Sequence, residues 1–377
     1  MKIAHISYYY QPIVGGQEVY IDNLINVLNS KGVESKVFQS SRRGKKVNNR
    51  LVTSIHIIPF FPKRWGNWDW HIFTLSLFFY RNKILVNDVI ISHYAMHSIP
   101  FWNYPEKLII LSHGVEWSVE KPKIEDRLRR FIAKKTLNRF VVVANDTHYY
   151  RELGYKVMPG VDYFREILPG KWFIPNCVDV NVFRRNDGIQ QLKERKIILV
   201  PRQICHDRGI HLAIKAFHIF LQSHSDYYLY IIGTPKSGEY YFECLKIVDE
   251  LNINQKVNFI GFVEHKQMPL YYSSSEICLI PTLSREGTSL SALEAMSCGT
   301  PTVSTNVAGL KDLPTIQSEP TEDDLAKKMI ETIANREEIS KIQKEKVQRV
   351  FNMHNWGNAW MNVIESLIKN NPHNGNC

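Results

Sequence analysis

The chain has 377 residues, of which 44% are apolar, 22% charged and 12% aromatic. That balance excludes a disordered or collagen-like polymer, and at roughly 100–200 residues per domain it leaves room for two or three domains. The net charge of +10 is one-sided: residues 1–187 hold 27 Lys and Arg against 16 Asp and Glu, and the remainder 20 against 21. Basicity confined to one half points to a polyanionic partner such as nucleic acid, an anionic lipid surface or a phosphorylated substrate.

Residues 1–12 show no apolar segment with a small-residue cleavage site, so no secretory signal is expected. The apolar runs, such as residues 73–80, are far shorter than the ~20 residues that cross a bilayer. Cys177, Cys205, Cys244, Cys278, Cys298 and Cys377 form no Cys-x-x-Cys pair, which argues against a disulfide framework or structural zinc. A cytoplasmic protein with reduced thiols is the expectation.

In chain order, residues 2–9 read as a strand and 11–16 as a Pro/Gly loop. Tyr20, Leu24, Val27 and Leu28 then recur at helical spacing until Gly32, and residues 33–38 form the next strand, giving one βαβ unit. Short apolar runs follow at 55–58, 88–92, 108–111, 140–144 and 172–174, with a helical pattern at 125–137. These imply a parallel sheet with helical crossovers.

Between residues 183 and 196 the pattern lapses into a polar stretch containing Asn186-Asp187-Gly188, which reads as a domain boundary. A second series then predicts strands at 197–200, 228–232, 257–260, 277–280 and 302–305. Helices are predicted at 210–221, 240–251, 267–272 and 289–296, and three more after Asp323, the last near 356–368. The expected fold is α/β, with two doubly wound Rossmann-like lobes, residues 1–185 and 186–352, and a C-terminal helix in 353–377 packing back on the first lobe. Ligands of open parallel sheets bind beyond the carboxyl ends of the strands, so an interdomain cleft is the expected site.

Four stretches could carry chemistry. In Pro281-Thr-Leu-Ser-Arg-Glu286-Gly-Thr-Ser-Leu290 and the helix after it, Glu286 falls in a loop at a strand's carboxyl end and Glu294 within the next helix. Gly287, Thr288 and Ser289 supply free amides between them, donors for a phosphate, while the carboxylates accept from hydroxyls. Read alone, Glu294 could equally be a solvated helix residue and Glu286 a partner of the helix dipole. In Arg202-Gln-Ile-Cys-His-Asp-Arg208-Gly209, two guanidiniums follow a strand and suit a diphosphate, although surface arginines would look the same. Gln11–Glu18 contains Gly15 and Gly16, which let a ligand approach the backbone or simply make a turn. His113-Gly114 follows an apolar strand, where an imidazole could meet a substrate hydroxyl or be structural.

As an ordered set these motifs resemble the retaining family 4 (group 1) glycosyltransferases of the GT-B fold. The matching pieces are Pro12 to Glu18, His113-Gly114, Ile174-Pro-Asn-Cys-Val-Asp179, Arg202 with Arg208-Gly209, and Glu286 with Glu294-Ala295-Met296 through Gly299 and Pro301. The resemblance implies a hexosyltransferase-like enzyme using a nucleotide-diphosphate sugar, without a cofactor or metal. By it, Glu294 would hold the ribose hydroxyls, Glu286 and His113 would contact the donor sugar, and Arg202 and Arg208 would clasp the diphosphate. Amides near Gly15, Gly16, Gly287, Thr288 and Ser289 would complete the donor site. Transfer would proceed with retention, the leaving phosphate oxygen taking the acceptor's proton.

Four positions depart from the family pattern. Arg208 replaces a lysine, Cys177 a glycine, and Gly287-Thr288-Ser289 the commoner Gly-Phe-Gly, while an Asp-Gly-x-Asn-Gly segment is missing between Leu313 and Glu322.

The resemblance assigns the acceptor to the N-terminal lobe, which is the basic one. Within residues 59–80, Trp65, Trp68 and Trp70 stand near Lys63 and Arg64, with Arg42, Arg43, Lys45 and Lys46 upstream. Rings beside cations suit the membrane interface, so peripheral membrane binding and a glycan or lipid-linked acceptor are expected, as in surface polysaccharide assembly. Packing of these rings in the lobe is the other reading. A nicotinamide-dependent oxidoreductase is disfavoured because neither lobe carries Gly-x-Gly-x-x-Gly. A nucleic-acid binder has no use for Glu286 and Glu294, so no nucleic acid is expected as partner, and a sugar-nucleotide epimerase or a non-catalytic basic binding protein on the same fold stays open.

Overall fold

Runs of Ile, Val and Leu buried on both faces make the central strands, and amphipathic segments between them return the chain across each sheet. The structure, a computed structural model, describes residues 1–13, 15–41, 51–55, 69–119, 122–160 and 162–369. It divides into two units: Met1–Val157, Phe164–Pro175 and the chain from His354 form the first, and Met158–Tyr163 with Asn176–Met353 the second. The crossing at 175/176 precedes the polar stretch at 183–196 because Asn176 already bonds within the second unit.

The first unit contains β1 (Lys2–Ser7), α1 (Gly16–Ser30), β2 (Glu34–Ser40), β3 (Val52–Ile55), α2 (Asp69–Leu85), β4 (Val89–Ser92) and β5 (Leu108–Ser112). It continues with α3 (Ile124–Leu137), β6 (Val141–Ala144), α4 (His148–Glu152), β7 (Arg165–Leu168) and β8 (Lys171–Phe173). Its sheet runs β3-β2-β1-β4-β5-β6-β8-β7. All pairs are parallel except β7 with β8. The sequence pattern missed β7, whose half-buried alternation on an edge is weak, and α2, whose apolar residues are not confined to one face.

The second unit contains β9 (Lys196–Pro201), α5 (Ile210–Leu221), β10 (Tyr227–Ile232), α6 (Gly238–Glu250), β11 (Val257–Gly261), α7 (Met268–Ser273) and β12 (Ile277–Ile280). Then come α8 (Leu290–Ser297), β13 (Thr302–Thr305), β14 (Ile316–Ser318), α9 (Glu322–Ala334) and α10 (Arg336–Val350). The sheet is all parallel in the order β11-β10-β9-β12-β13-β14. Strand β14 is an unexpected element, formed where the family's Asp-Gly-x-Asn-Gly segment is missing. Both sheets reverse their order beside their first strand, the doubly wound pattern.

The last helix, α11 (Met353–Lys369), packs from His354 onward on α1. The Trp360 indole N–H donates to the Tyr20 hydroxyl at 3.1 Å, and the Trp356 and Tyr20 rings meet edge to face at 4.9 Å. Gly357 allows this approach, since a Cβ there would lie 2.3 Å from Val27 Cγ1.

Candidate functional site

In the second sheet the order reverses between β9 and β12, and the loops leaving these two strands hold the predicted residues together. Arg202 is the first residue past β9, and it is buried at 8% exposure. Its guanidinium pairs with the Glu286 carboxylate and reaches Ser289 Oγ and Thr282 Oγ1, each at 3.3 Å. Arg208, further along the same loop, also pairs with Glu286 and donates to the Arg285 carbonyl at 3.2 Å. Arg202 Nε is buried without a partner among the described residues. Burial pushes the two guanidiniums down, to about 10 for Arg202 and, with its neighbour's like charge added, about 9 for Arg208. Both remain cations at neutral pH.

Gly209 makes this meeting geometrically possible. Its φ is +65°, and a Cβ at this position would stand 1.9 Å from the Pro281 carbonyl oxygen, so only glycine lets the β9 loop lie against the end of β12. A backbone bond from Leu283 N–H to Asp207 O at 2.9 Å ties the two loops.

The Glu286–Ser289 loop is fixed from a second direction. Asn176 N–H donates to Thr288 Oγ1 at 2.8 Å, and its side-chain amide donates to the Thr288 carbonyl. Gly287 lies between these anchors, and Ser289 caps α8, its hydroxyl accepting from Ala292 N–H at 3.4 Å. The helix thus starts with its remaining amides facing outward along its axis, a donor set for an anion.

Glu294, one turn into α8, is not a solvated helix residue: it is 5% exposed. Oε1 accepts from His265 Nε2 at 2.6 Å and Oε2 from the Tyr272 hydroxyl at 2.8 Å. The hydrogen bond to Glu294 pushes the His265 imidazole up. The two glutamates therefore serve separate clusters, Glu286 an arginine pair and Glu294 a His–Tyr pair. Sequence reasoning missed His265 and Tyr272, which carry no motif and reach Glu294 from the segment after β11 and from α7. It quoted Asn176 within a motif without finding its contact.

In the first unit, Gly15 caps α1 and Gly16 is its first residue. His113 is the first residue past β5, its Nε2 3.0 Å from His93 Nδ1 and its ring edge-on to Tyr20 at 5.0 Å. Close by, the Tyr94 hydroxyl donates to Gln17 Oε1, and Gln17 Nε2 donates to Ser7 Oγ at 3.1 Å. Of the predicted residues, the seven from Arg202 to Glu294 gather in the second unit; Gly15, Gly16 and His113 belong to the first.

Of the expected membrane-facing stretch, Arg42, Arg43, Lys45, Lys46, Lys63, Arg64, Trp65 and Trp68 lie outside the described residues. Trp70 is turned inward: it stacks on Tyr8 at 5.4 Å, meets Tyr94 at 4.3 Å and takes the Arg129 guanidinium at 5.7 Å. It packs against the core of the first unit while staying partly exposed. Among the described residues no helix is long and apolar enough to cross a membrane.

Two doubly wound sheets, one carrying an arginine pair and a buried glutamate at its reversal point, form an α/β architecture whose ligands bind beyond the carboxyl ends of the strands. Residues 183–349 match the family described as glycosyl transferases group 1. The chain is 32% identical over 131 residues to an uncharacterized glycosyltransferase of Methanocaldococcus jannaschii, covering 35% of this chain and 32% of the relative. It is 23% identical over 345 residues to D-inositol 3-phosphate glycosyltransferase of Corynebacterium jeikeium, covering 82% of this chain and 81% of that one. The chain spans about a third of the M. jannaschii relative and 48% of the putative glycosyltransferase YtcC of Bacillus subtilis. Among solved structures, sucrose-phosphate synthase from Thermosynechococcus elongatus superposes with a TM-score of 0.80 at 20% identity, covering 98% of this chain and all of that one. HepE of Anabaena, solved with UDP-glucose, gives 0.72 at 15% identity over 98% of this chain and all of that one. The fold is GT-B.

Proposed function

We propose that the chain is a retaining glycosyltransferase that moves a sugar from a nucleotide-diphosphate sugar to a glycan or lipid-linked acceptor. The observation that carries this reading is the convergence of Arg202, Arg208, the capped start of α8 and buried Glu294 at the reversal point of the second sheet, within the stretch that matches the group 1 glycosyl transferases. Glu294 would take the ribose hydroxyls through the lone pairs that His265 and Tyr272 leave open. The guanidiniums, released from Glu286 or sharing it, would meet the diphosphate and neutralise the leaving phosphate without a divalent ion. In the transfer the acceptor oxygen bonds to the anomeric carbon as the anomeric C–O bond to phosphate breaks. The acceptor's proton passes to the leaving phosphate oxygen on the same face. His113 and Glu286 would contact the transferred sugar, and Gly15 and Gly16 would let the ligand approach the start of α1.

The acceptor would be received by the basic first unit on the cytoplasmic face of a membrane, as in surface polysaccharide assembly. Support comes from outward apolar side chains beside cations. Phe79 on α2 is 76% exposed and Ile124 on α3 is 86% exposed. On α3, Leu128 and Phe131 continue the stripe at helical spacing, with Arg127, Arg130, Lys134 and Lys135 exposed around it. Such a face suits anionic lipid, each cation adding about 1 kcal/mol.

Thermal-shift measurements with UDP-, GDP- and ADP-sugars, without added metal, test the donor reading. Stabilisation by one nucleotide class that vanishes in Glu294→Ala supports it, and a folded protein that no nucleotide sugar stabilises overturns it. Flotation with anionic vesicles tests the membrane reading, which fails if the protein stays unbound at low salt.

A further inference from the structure

His5, His93 and His113 lie on three neighbouring strands of the first sheet, His5 inside β1 and the others one residue past the ends of β4 and β5. Their rings form an unbroken row. His5 Nδ1 is 3.2 Å from His93 Nε2, and His93 Nδ1 is 3.0 Å from His113 Nε2. His5 and His93 are fully buried, and the His93 backbone is held to β1 by its N–H donating to Ile6 O at 3.0 Å. The far end of the row, His5 Nε2, is a buried atom without a partner among the described residues.

A neutral imidazole carries one hydrogen, so two neighbouring nitrogens bond only if one donates and the other accepts. The row can therefore be filled in two directions. If His113 donated through Nε2, His93 would donate through Nε2 in turn, and His5 would be left with a buried N–H that has no acceptor. If His5 donates through Nδ1, His93 donates through Nδ1, and the orphan at the far end is a bare ring nitrogen. Burying an N–H without an acceptor is the costlier arrangement, as the rarity of orphaned donors in folded proteins reflects. Burial keeps all three rings neutral, pushing His5 and His113 down to about 3 and His93 well below its ordinary value.

We propose that His5 and His93 are positioning residues that fix His113 in the tautomer with its hydrogen on Nδ1, presenting an N–H donor to the ligand. The inference rests on the donor-sugar reading of His113 and deepens it. The group His113 meets is then an acceptor, an oxygen of the transferred sugar, and His113 does not act as a base toward a hydroxyl proton.

The test is a two-bond nitrogen–proton NMR spectrum of the unliganded protein labelled with ¹⁵N-histidine. Its pattern separates the two tautomers and the imidazolium. The expected result is an Nδ1–H form for all three residues near pH 7; an Nε2–H form or an imidazolium at His113 overturns the proposal. Because this readout needs no ligand, an Nδ1–H row in a protein that binds no nucleotide sugar would defeat the sugar reading alone. Nucleotide-sugar binding with an Nε2–H His113 would defeat the row alone. In the active enzyme, His93→Leu should lower kcat about 10- to 100-fold with a smaller loss of donor affinity. His93→Asn, whose amide can still donate to His113 Nε2, should restore most of it. Equal loss in both variants counts against the proposal.

Discussion

Asn176 donates its backbone N–H to the hydroxyl of Thr288 at 2.8 Å, a bond between the first residue of the main segment of the second unit and the loop that holds Glu286. Both residues are buried, so the amide has no water to turn to if the hydroxyl is lost. Thr288→Val should destabilise the fold by about 1–3 kcal/mol, the cost of a buried donor left unsatisfied, and Thr288→Ser should recover most of it. Denaturant titrations of the two variants check this, and a Val variant as stable as the wild type would contradict it.

Glu294→Ala removes a buried carboxylate expected to hold ribose hydroxyls. Charge-assisted hydrogen bonds contribute about 1.5–3 kcal/mol, so the Kd for the preferred nucleotide sugar should rise about 10- to 150-fold. Calorimetric titration measures it. Tyr272→Phe removes only the hydroxyl that orients Oε2 and should raise Kd by a smaller factor.

The His265–Glu294 bond has a pH signature. The folded-state pKa of His265 is raised above 6.5 by its hydrogen bond to Glu294, so its contribution to stability is fully present below about 6.5. That contribution is lost as pH rises through the folded value. The Tm difference between the wild type and His265→Gln should therefore be largest in mildly acidic buffer and shrink toward alkaline pH. The His265 side chain is 53% exposed, so the difference should also fall with added salt. A difference that grows with pH would show that the bond does not depend on protonation.

Much of this was legible in the sequence, for reasons the structure makes plain. Helix α5 and strands β12 and β13 match their predicted bounds: Gly209 precedes α5, Glu276 and Pro281 flank β12 and Pro301 precedes β13, while both strands are buried throughout and α5 buries one apolar face. Glu286, Arg202 and Arg208 were found because their residue types and strand-end positions are both visible in one dimension. His265 and Tyr272 were not, since a partner brought in from the loop after β11 leaves no periodicity behind. The row of His5, His93 and His113 was invisible for the same reason: it runs across the strands, perpendicular to the direction in which a sequence is read. Trp70, for which both a membrane face and packing in the lobe were open from the sequence, packs partly buried against Tyr8, Tyr94 and Arg129.

Glu286 neutralises two guanidiniums that carry the predicted diphosphate role. Glu286→Gln should leave Arg202 and Arg208 without their counter-charge and so tighten binding of inorganic pyrophosphate while lowering transfer activity. Competition titrations with pyrophosphate separate the two effects. Weaker pyrophosphate binding in the variant would mean that the carboxylate holds the arginines in their binding geometry and does more than balance their charge.

Gly209→Ala asks whether the meeting of the two strand-end loops depends on glycine. The residue has φ +65°, and the added methyl carbon would stand 1.9 Å from Pro281 O, so the backbone strain and the overlap act at the same point. Each costs roughly 1–3 kcal/mol, and relief requires the β9 loop to lift from the end of β12, carrying Arg208 away from Glu286. The variant should therefore lose about 2–6 kcal/mol of stability, read as a lower denaturant midpoint with an unchanged slope, together with donor binding. Gly188→Ala supplies the contrast: Gly188 also has a positive φ, +68°, but its added carbon would meet the Ser274 side chain at 2.5 Å, and it lies outside the predicted donor site. That variant should lose stability while keeping its affinity for the donor. If both variants bound donor alike, the closeness of Gly209 to Pro281 would be a matter of folding alone, and the geometry of the arginine pair would have to be set elsewhere in the loop.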